Sequence, residues 1–261
     1  MTVAQALSAS GLDAREARIL LAAATGFSEA SVLASPERVL PLDVEKNFLE
    51  KANRRRAGEP VAYILGRKEF YGLELAVNPA VLIPRPETEL LVELALQKNP
   101  SSVLDLGTGS GAVALAIKKH LPAARVTAVE ASAAALAVAQ RNAVKHGLDI
   151  EILHGQWLRP VGQRRFDLIV SNPPYVAEGD PHLAELRHEP ASALLAGHDG
   201  LGAIREIALD APAHLAPGGW LLLEHGMGQD AAVRALLAGL ESVQTWPDLS
   251  GLPRVTGGRI R

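Results

Sequence analysis

The alternation of short apolar segments with amphipathic ones restricts the fold of this chain more than any other feature of the sequence. Strands are predicted over 102–106, 125–130, 151–153 and 166–170, and helices over 112–120 and 132–146. A further helix over 200–214, a strand over 219–224, a helix over 230–240 and C-terminal strands continue the series. A strand, a crossover helix and a second strand favour parallel pairing. The pattern therefore predicts an α/β fold with a parallel sheet and crossover helices.

The first part of the chain has a different pattern. Apolar residues at spacings of three and four, including Val3, Ala6 and Leu7 and those over 15–24 and 45–56, predict amphipathic helices that end near 57–60. Apolar alternation over 70–82, interrupted by Asn78-Pro79, predicts a β-hairpin. We expect a small all-helical domain over 1–68, a hairpin linker over 69–86 and the main domain over 87–261.

The composition removes several classes of protein. The absence of cysteine excludes disulfides, thiolate metal sites and cysteine nucleophiles. No apolar run approaches the roughly 20 residues that cross a bilayer, and no signal peptide is recognisable, so a cytoplasmic protein without a membrane span is expected. The net charge is −3, and residues 1–75 contain ten Lys or Arg against ten Asp or Glu. This balance disfavours a nucleic-acid substrate, which usually requires a basic surface.

A glycine-rich turn follows the first predicted strand of the main domain. We call Gly107-Thr108-Gly109-Ser110-Gly111 the glycine loop; it permits a tight turn and close approach of a ligand to backbone N–H groups at a helix N-terminus. Glu130 ends the next strand, where a carboxylate can accept ribose hydroxyls. A nucleoside ligand is indicated. The loop alone also fits a dinucleotide, but Asp105 within the strand end, together with the tetrapeptide described next, favours S-adenosylmethionine.

The tetrapeptide Asn172-Pro173-Pro174-Tyr175, here called the amide clamp, directly follows the strand over 166–170. Ligands of open parallel sheets bind beyond the carboxyl ends of strands, so the amide clamp and the glycine loop are expected to share a crevice. Consecutive prolines stiffen the backbone and supply no N–H. The Asn172 side-chain oxygen and the Pro173 carbonyl can accept the protons of an NH2 group, and Tyr175 can pack against its plane. These residues predict methylation of a conjugated nitrogen.

Local chemistry leaves alternatives open at this point. A DNA or RNA adenine-N6 methyltransferase faces the same problem of an NH2 group with a delocalised lone pair. A nicotinamide oxidoreductase could use the glycine loop but gives the amide clamp no role. The acidic and histidine residues between 180 and 189 match no metal-ligand spacing and are interpreted as a polar loop, so no metal site is expected.

With both motifs in view, nearly the whole chain resembles the peptide chain release factor N5-glutamine methyltransferase family (PrmC/HemK). The similar strings include Pro60-Val61-Ala62-Tyr63, Leu82-Ile83-Pro84-Arg85-Pro86-Glu87-Thr88-Glu89 and Leu223-Glu224-His225-Gly226, besides the amide clamp. The resemblance implies a class I S-adenosylmethionine-dependent methyltransferase domain joined by a hairpin to a helical domain that recognises the release factor.

The resemblance also implies a substrate and site residues. The substrate is the glutamine of the Gly-Gly-Gln motif in class 1 release factors, and S-adenosyl-L-homocysteine is the product. The glycine loop, Glu130, Trp157 and Asn172 are implied to contact the cofactor, and the amide clamp to hold the glutamine amide. Glu130 stands where the family usually has Asp, which keeps the carboxylate but lengthens its arm. A monomer is expected.

Overall fold

The computed structural model describes residues 1–261 and divides into two compact units, Met1–Arg67 and Lys68–Arg261. No helix in the chain combines the length and apolar character that crossing a membrane requires.

The first unit is entirely helical. Its helices are α1 (Val3–Ala9), α2 (Ala14–Thr25), α3 (Glu29–Ala34), α4 (Leu42–Arg56) and α5 (Val61–Leu65). Local sequence explains their ends: Thr2 forms a capping box with Gln5, and Asp13 accepts backbone N–H bonds at the start of α2. Their apolar faces meet around fully buried Leu20, Leu21 and Phe48. The predicted helical character of this region is confirmed.

The second unit contains the sheet. Its elements are β1 (Arg67–Phe70), β2 (Leu73–Ala76), α6 (Glu89–Lys98), β3 (Ser102–Leu106), α7 (Ala112–His120), β4 (Arg125–Glu130), α8 (Ala133–His146), β5 (Glu151–His154), β6 (Phe166–Ser171), α9 (Gly202–Asp210), β7 (Leu215–Glu224), α10 (Asp230–Leu236), β8 (Glu241–Pro247) and β9 (Pro253–Arg259). The α/β fold predicted from the alternating pattern is confirmed.

The main sheet has seven strands in the order β5-β4-β3-β6-β7-β9-β8. The first five are parallel, and β9 pairs antiparallel with both β7 and β8. Buried clusters cover the two faces, one around Leu91 and Leu115 and the other around Ile169 and Ile204. The strand order reverses at β3, with β4 on one side and β6 on the other. A crevice forms where connections leave such a pair of strands in opposite directions.

The hairpin lies earlier in the chain than the sequence pattern suggested. It comprises β1 and β2, and its turn is at Tyr71-Gly72, where both residues have positive φ (48° and 73°). The interruption at Asn78-Pro79 follows the hairpin instead of forming its turn. The side chain of Asn142 in α8 fixes the end of β2, accepting from Ala76 N at 2.7 Å and donating to Ala76 O at 3.0 Å. The segment expected as a linker is therefore docked on the second unit.

Candidate active site

A cavity of about 420 Å³ opens at the carboxyl ends of the parallel strands. It is lined by most of the residues selected from the sequence: Gly107, Thr108, Gly109, Ser110, Glu130, Trp157, Asn172 and Pro174. Three selected residues, Gly111, Pro173 and Tyr175, do not line it. The structure thus brings the glycine loop and the amide clamp to one cavity, as expected for loops that follow adjacent strands.

The glycine loop turns sharply out of β3. Gly107, Gly109 and Gly111 have φ values of 71°, 56° and 85°, a region that residues with a Cβ rarely adopt. A Cβ on Gly107 would lie 3.4 Å from the indole of Trp157. The turn is anchored to β4, since the backbone N–H groups of Gly107 and Thr108 donate to Val129 O at 2.9 and 3.1 Å. Gly107 therefore permits the turn, and the Trp157 ring lies in van der Waals contact range of it.

Asp105 places a buried carboxyl group in the cavity wall. Its Oδ2 accepts from Thr108 Oγ1 at 2.6 Å and from Ala114 N at 3.2 Å. Burial raises the pKa of Asp105 to about 6, because desolvation outweighs the two hydrogen bonds, and the charge of Glu130 adds to the rise. Near neutral pH this group is a carboxylate that a cationic ligand would stabilise.

Glu130 is held by backbone N–H groups at both oxygens. Its Oε2 accepts from Gly109 N and its Oε1 from Ser132 N, each at 2.8 Å. A carboxylate oxygen has further lone pairs, so each can accept another hydrogen bond. The longer arm of glutamate thus reaches across to the glycine loop and keeps acceptor capacity for ribose hydroxyls.

Trp157 forms another wall of the cavity. Its backbone has φ 47°, which is uncommon for a bulky residue. The indole Nε1 donates to Glu206 Oε2 at 2.9 Å, and Gln156 Nε2 donates to the same oxygen at 3.4 Å. Glu206 therefore fixes the orientation of the ring.

Asn172 presents an unpaired oxygen. Its Nδ2 donates to Thr88 Oγ1 at 3.0 Å, whereas its buried Oδ1 has no hydrogen-bond partner. The neighbouring Ser171 Oγ donates to Leu106 O at 2.7 Å, which ties the end of β6 to β3. Because buried polar atoms are nearly always paired, an unpaired acceptor beside a cavity marks a place for a ligand donor.

Tyr175 lies behind the cavity wall. A Cβ on Gly226 would lie 3.3 Å from its Cδ2, and its carbonyl accepts from Gln229 Nε2 at 3.0 Å. Burial raises the pKa of Tyr175 to about 12, and the charge of Glu224 adds to the rise. Tyr175 packs against the residues that follow β7, and its packing against a substrate amide stays a prediction.

The site has a chemical asymmetry. Near the glycine loop it offers two carboxylates and an aromatic wall, which suit a cationic nucleoside. Near the amide clamp it offers an amide oxygen and prolines that have no N–H. This arrangement can hold an NH2 group by its protons while a positively charged group lies alongside.

Two family models match the chain. One, described as Methyltransferase small domain, matches residues 86–245, and the other, described as PrmC N-terminal domain, matches residues 2–66. The release factor glutamine methyltransferase of Burkholderia pseudomallei is 49% identical, covering 99% of this chain and 96% of that protein. The protein of the same name from Neisseria gonorrhoeae is 47% identical, covering 99% and 98%. The chain belongs to the release factor glutamine methyltransferase family.

Solved structures agree with this assignment at the level of the fold. A methyltransferase from Pyrococcus furiosus has a TM-score of 0.59 at 19% identity, covering 80% of this chain and 98% of that one. The 16S rRNA N2 methyltransferase of T. thermophilus, solved with AdoMet and guanosine, has a TM-score of 0.55 at 24% identity, covering 75% and 50%. The Rossmann-like architecture of this family member is therefore shared with methyltransferases of different substrates.

Sequence reasoning missed several residues that shape the site. Thr88 and Glu206 bond directly to Asn172 and Trp157, and Glu189 lies in the segment interpreted as a polar loop. Glu189 is buried, pairs with Arg85 and accepts from Ile83 N at 3.0 Å. Of these missed residues, Glu224 was the easiest to identify from the sequence. It is a carboxyl group at the end of an apolar strand, and such residues are rarely buried without a role.

Proposed function

We propose that this protein methylates the side-chain amide nitrogen (N5) of the glutamine in the Gly-Gly-Gln motif of class 1 peptide chain release factors, using S-adenosyl-L-methionine. The unpaired Oδ1 of Asn172 at the cavity carries the proposal, because it is an acceptor positioned for the N–H of a primary amide. The names of the relatives support a release factor glutamine as the source of this amide.

The residues of the cavity fit the cofactor. Glu130 retains lone pairs for ribose hydroxyls, Trp157 offers an apolar face to adenine, and the Asp105 carboxylate offers negative charge to the cationic end. When bound, S-adenosylmethionine supplies an electrophilic methyl group on a sulfonium and leaves as S-adenosyl-L-homocysteine. The sites proposed for the cofactor are the glycine loop, Glu130, Trp157 and Asn172.

The amide clamp addresses the low reactivity of the glutamine nitrogen. Its lone pair is delocalised into the carbonyl, so the protein must orient it and stabilise the positive charge that develops during methylation. Asn172 Oδ1 accepts one N–H, and the Pro173 carbonyl is proposed to accept the other. Orientation of this kind contributes roughly 7–11 kcal/mol in favourable intramolecular reactions. A dedicated general base is not required if the proton leaves after methyl transfer.

The remaining parts of the proposal concern the whole chain. The helical region, 1–68, is proposed to recognise the release factor, with 69–86 linking it to the catalytic region, 87–261. The match of residues 2–66 to the PrmC N-terminal domain supports this division. We further propose that the enzyme is a monomer, acts in the cytoplasm where translation terminates, and takes no nucleic acid as substrate.

One incubation tests the function. Purified protein is mixed with S-adenosylmethionine and unmodified release factor, and a parallel reaction contains adenine-rich DNA and RNA. We expect a single methyl group on the Gly-Gly-Gln peptide by mass spectrometry and none on the nucleic acids. Methylated adenine with an untouched peptide would replace the proposal by the adenine-N6 alternative.

A further inference from the structure

Glu224 is a buried carboxyl group outside the cavity. It ends β7 with only 1% of its surface exposed, and it does not line the cavity. Neither of its oxygens has a hydrogen-bond partner of regular geometry. An unpaired carboxyl group at this depth is costly, so its retention calls for a role.

The groups around Glu224 come from three parts of the second unit. The hydroxyls of Thr88 and Tyr175 and the guanidinium of Arg254 lie close enough to lower its pKa, whereas Glu87 acts in the opposite direction. Burial is the largest influence and raises the pKa of Glu224 to about 7. Arg254 does not form a regular ion pair with it, since the guanidinium is directed to Asp248 and the carbonyl of His225.

Thr88 contacts the amide clamp, and Glu224 ends the strand beside it, since Ser171 of β6 pairs with Leu223 of β7. The Thr88 hydroxyl oxygen accepts from Asn172 Nδ2 at 3.0 Å, and it does not cap α6, although Thr88 precedes that helix. A hydroxyl group has one proton to donate in addition to its lone pairs. With a lone pair used by Asn172, the Thr88 proton is free for an acceptor, and the nearby Glu224 carboxylate is such an acceptor.

We propose that Glu224 is a positioning residue for Asn172, acting through Thr88. Its carboxylate accepts a hydrogen bond from the Thr88 hydroxyl, which leaves the lone pairs of the Thr88 oxygen for Asn172 and so holds the Asn172 amide with Nδ2 toward Thr88 and Oδ1 toward the cavity. The inference rests on the proposed function, because only a substrate that brings an N–H requires this orientation. A rotated Asn172 would present its own NH2 group to the substrate NH2 group.

We call the hydrogen bonds from Glu224 through Thr88 to Asn172 the relay. The relay depends on the ionisation of Glu224. A protonated Glu224 can donate to the Thr88 oxygen instead of accepting from it, and the Thr88 proton can then turn toward Asn172 and pair with its Oδ1. The Asn172 amide then loses its preferred orientation. Turnover should therefore fall as the pH decreases through the range in which Glu224 takes up its proton.

Kinetics of the full-length enzyme provide the first test, with cofactor and release factor saturating. Thr88→Val keeps the shape of the side chain but loses the relay, and we expect kcat to fall roughly ten- to hundredfold. Thr88→Ser retains the hydroxyl and is expected to stay within about threefold of the parent. Glu224→Gln should lose the decrease in kcat below pH 7, because glutamine does not titrate. A Thr88→Val enzyme with parental kcat, or an unchanged pH profile in Glu224→Gln, would overturn the proposal.

A second readout is independent of turnover. The side-chain ¹⁵N resonance of Asn172, assigned by its loss in Asn172→Asp, is followed by NMR against pH. We expect a titration near pH 7 in the parent and in Thr88→Ser, and its absence in Thr88→Val and Glu224→Gln. A resonance that titrates equally in Thr88→Val would refute the relay. Failure of the parent to methylate release factor would refute the proposed function instead, while the NMR titration would still report on the link between Glu224 and Asn172.

Discussion

The two halves of the cavity differ in how their polar atoms are satisfied. Beside the glycine loop, Asp105 and Glu130 accept hydrogen bonds from the chain itself, from Thr108 and Ala114 and from Gly109 and Ser132 respectively. Beside the amide clamp, the buried oxygens of Asn172 and Glu224 have no regular partner. The cofactor half is complete within the chain, whereas in the clamp half the Asn172 oxygen is an acceptor that only a ligand donor satisfies.

The difference separates residues that stabilise the fold from residues that serve the reaction at a cost in stability. Each unsatisfied buried polar group costs about 1–3 kcal/mol, so the clamp half is expected to destabilise the fold. An incoming amide relieves part of that cost at Asn172. Substitutions in the clamp half should therefore reduce turnover more than cofactor binding, and substitutions in the glycine-loop half should do the reverse.

Asn172→Ala should have the largest effect. Removing an acceptor that stabilises charge in the transition state lowers kcat about 100- to 1000-fold. Cofactor affinity, measured by calorimetry, should fall far less than kcat, because the glycine loop, Glu130 and Trp157 keep their contacts. Gln163→Ala, an exposed change between β5 and β6, serves as the control and should keep parental activity. Parental activity in Asn172→Ala would remove the amide clamp from the mechanism.

Glu224→Gln should stabilise the protein at high pH. The folded pKa of Glu224, about 7, lies above its ordinary value of 4.5, so the parent loses stability as the pH rises from about 4.5 to 7. At pH 8 we expect the free energy of unfolding of the variant to exceed that of the parent by about 3 kcal/mol. The difference should shrink toward pH 4.5. Urea unfolding at several pH values measures this. The exposed Glu178→Gln should show no such trend; a pH-independent difference in Glu224→Gln would contradict the assignment.

Gly107→Val tests the glycine-loop half. The new side chain meets Trp157 and occupies a backbone conformation with φ 71°. We expect cofactor affinity to fall roughly tenfold, with kcat at saturation falling less. Gly147→Val is the matched control, because its φ is 61° but no atom lies within 4 Å of a Cβ there. Equal loss of affinity in both variants would mean that backbone strain alone is responsible.

Glu206→Ala should have the smallest effect of the four. It removes the acceptor of the Trp157 indole N–H without touching the cavity, so cofactor affinity should fall about two- to fivefold. Quenching of Trp157 fluorescence on cofactor binding provides the measurement. Asp210→Ala, exposed one turn further along α9, should leave the affinity unchanged.

Much of the fold was predictable because it depends on local pattern. β3, α7 and β4 begin and end where the sequence predicted, since apolar periodicity and turn glycines act over a few residues. β7 begins at Leu215, four residues before the prediction over 219–224, because Gly218 and Gly219 resemble a turn. In the structure, a Cβ on Gly219 would lie 2.9 Å from Phe166 O. Close packing of neighbouring strands, which no local pattern reveals, requires glycine there.

By itself, the sequence determined the parallel sheet, the glycine loop, Glu130 and the position of Asn172 after a strand, because each depends on neighbours in the chain. Only the tertiary structure decided which atoms of the amide clamp face the cavity. Thr88 and Asn172 are 84 positions apart, and Trp157 and Glu206 are 49 apart. Packing brings such groups within hydrogen-bond distance, and burial raises the pKa of Glu224. Neither effect can be predicted from local sequence, because both depend on residues that are far apart in the chain.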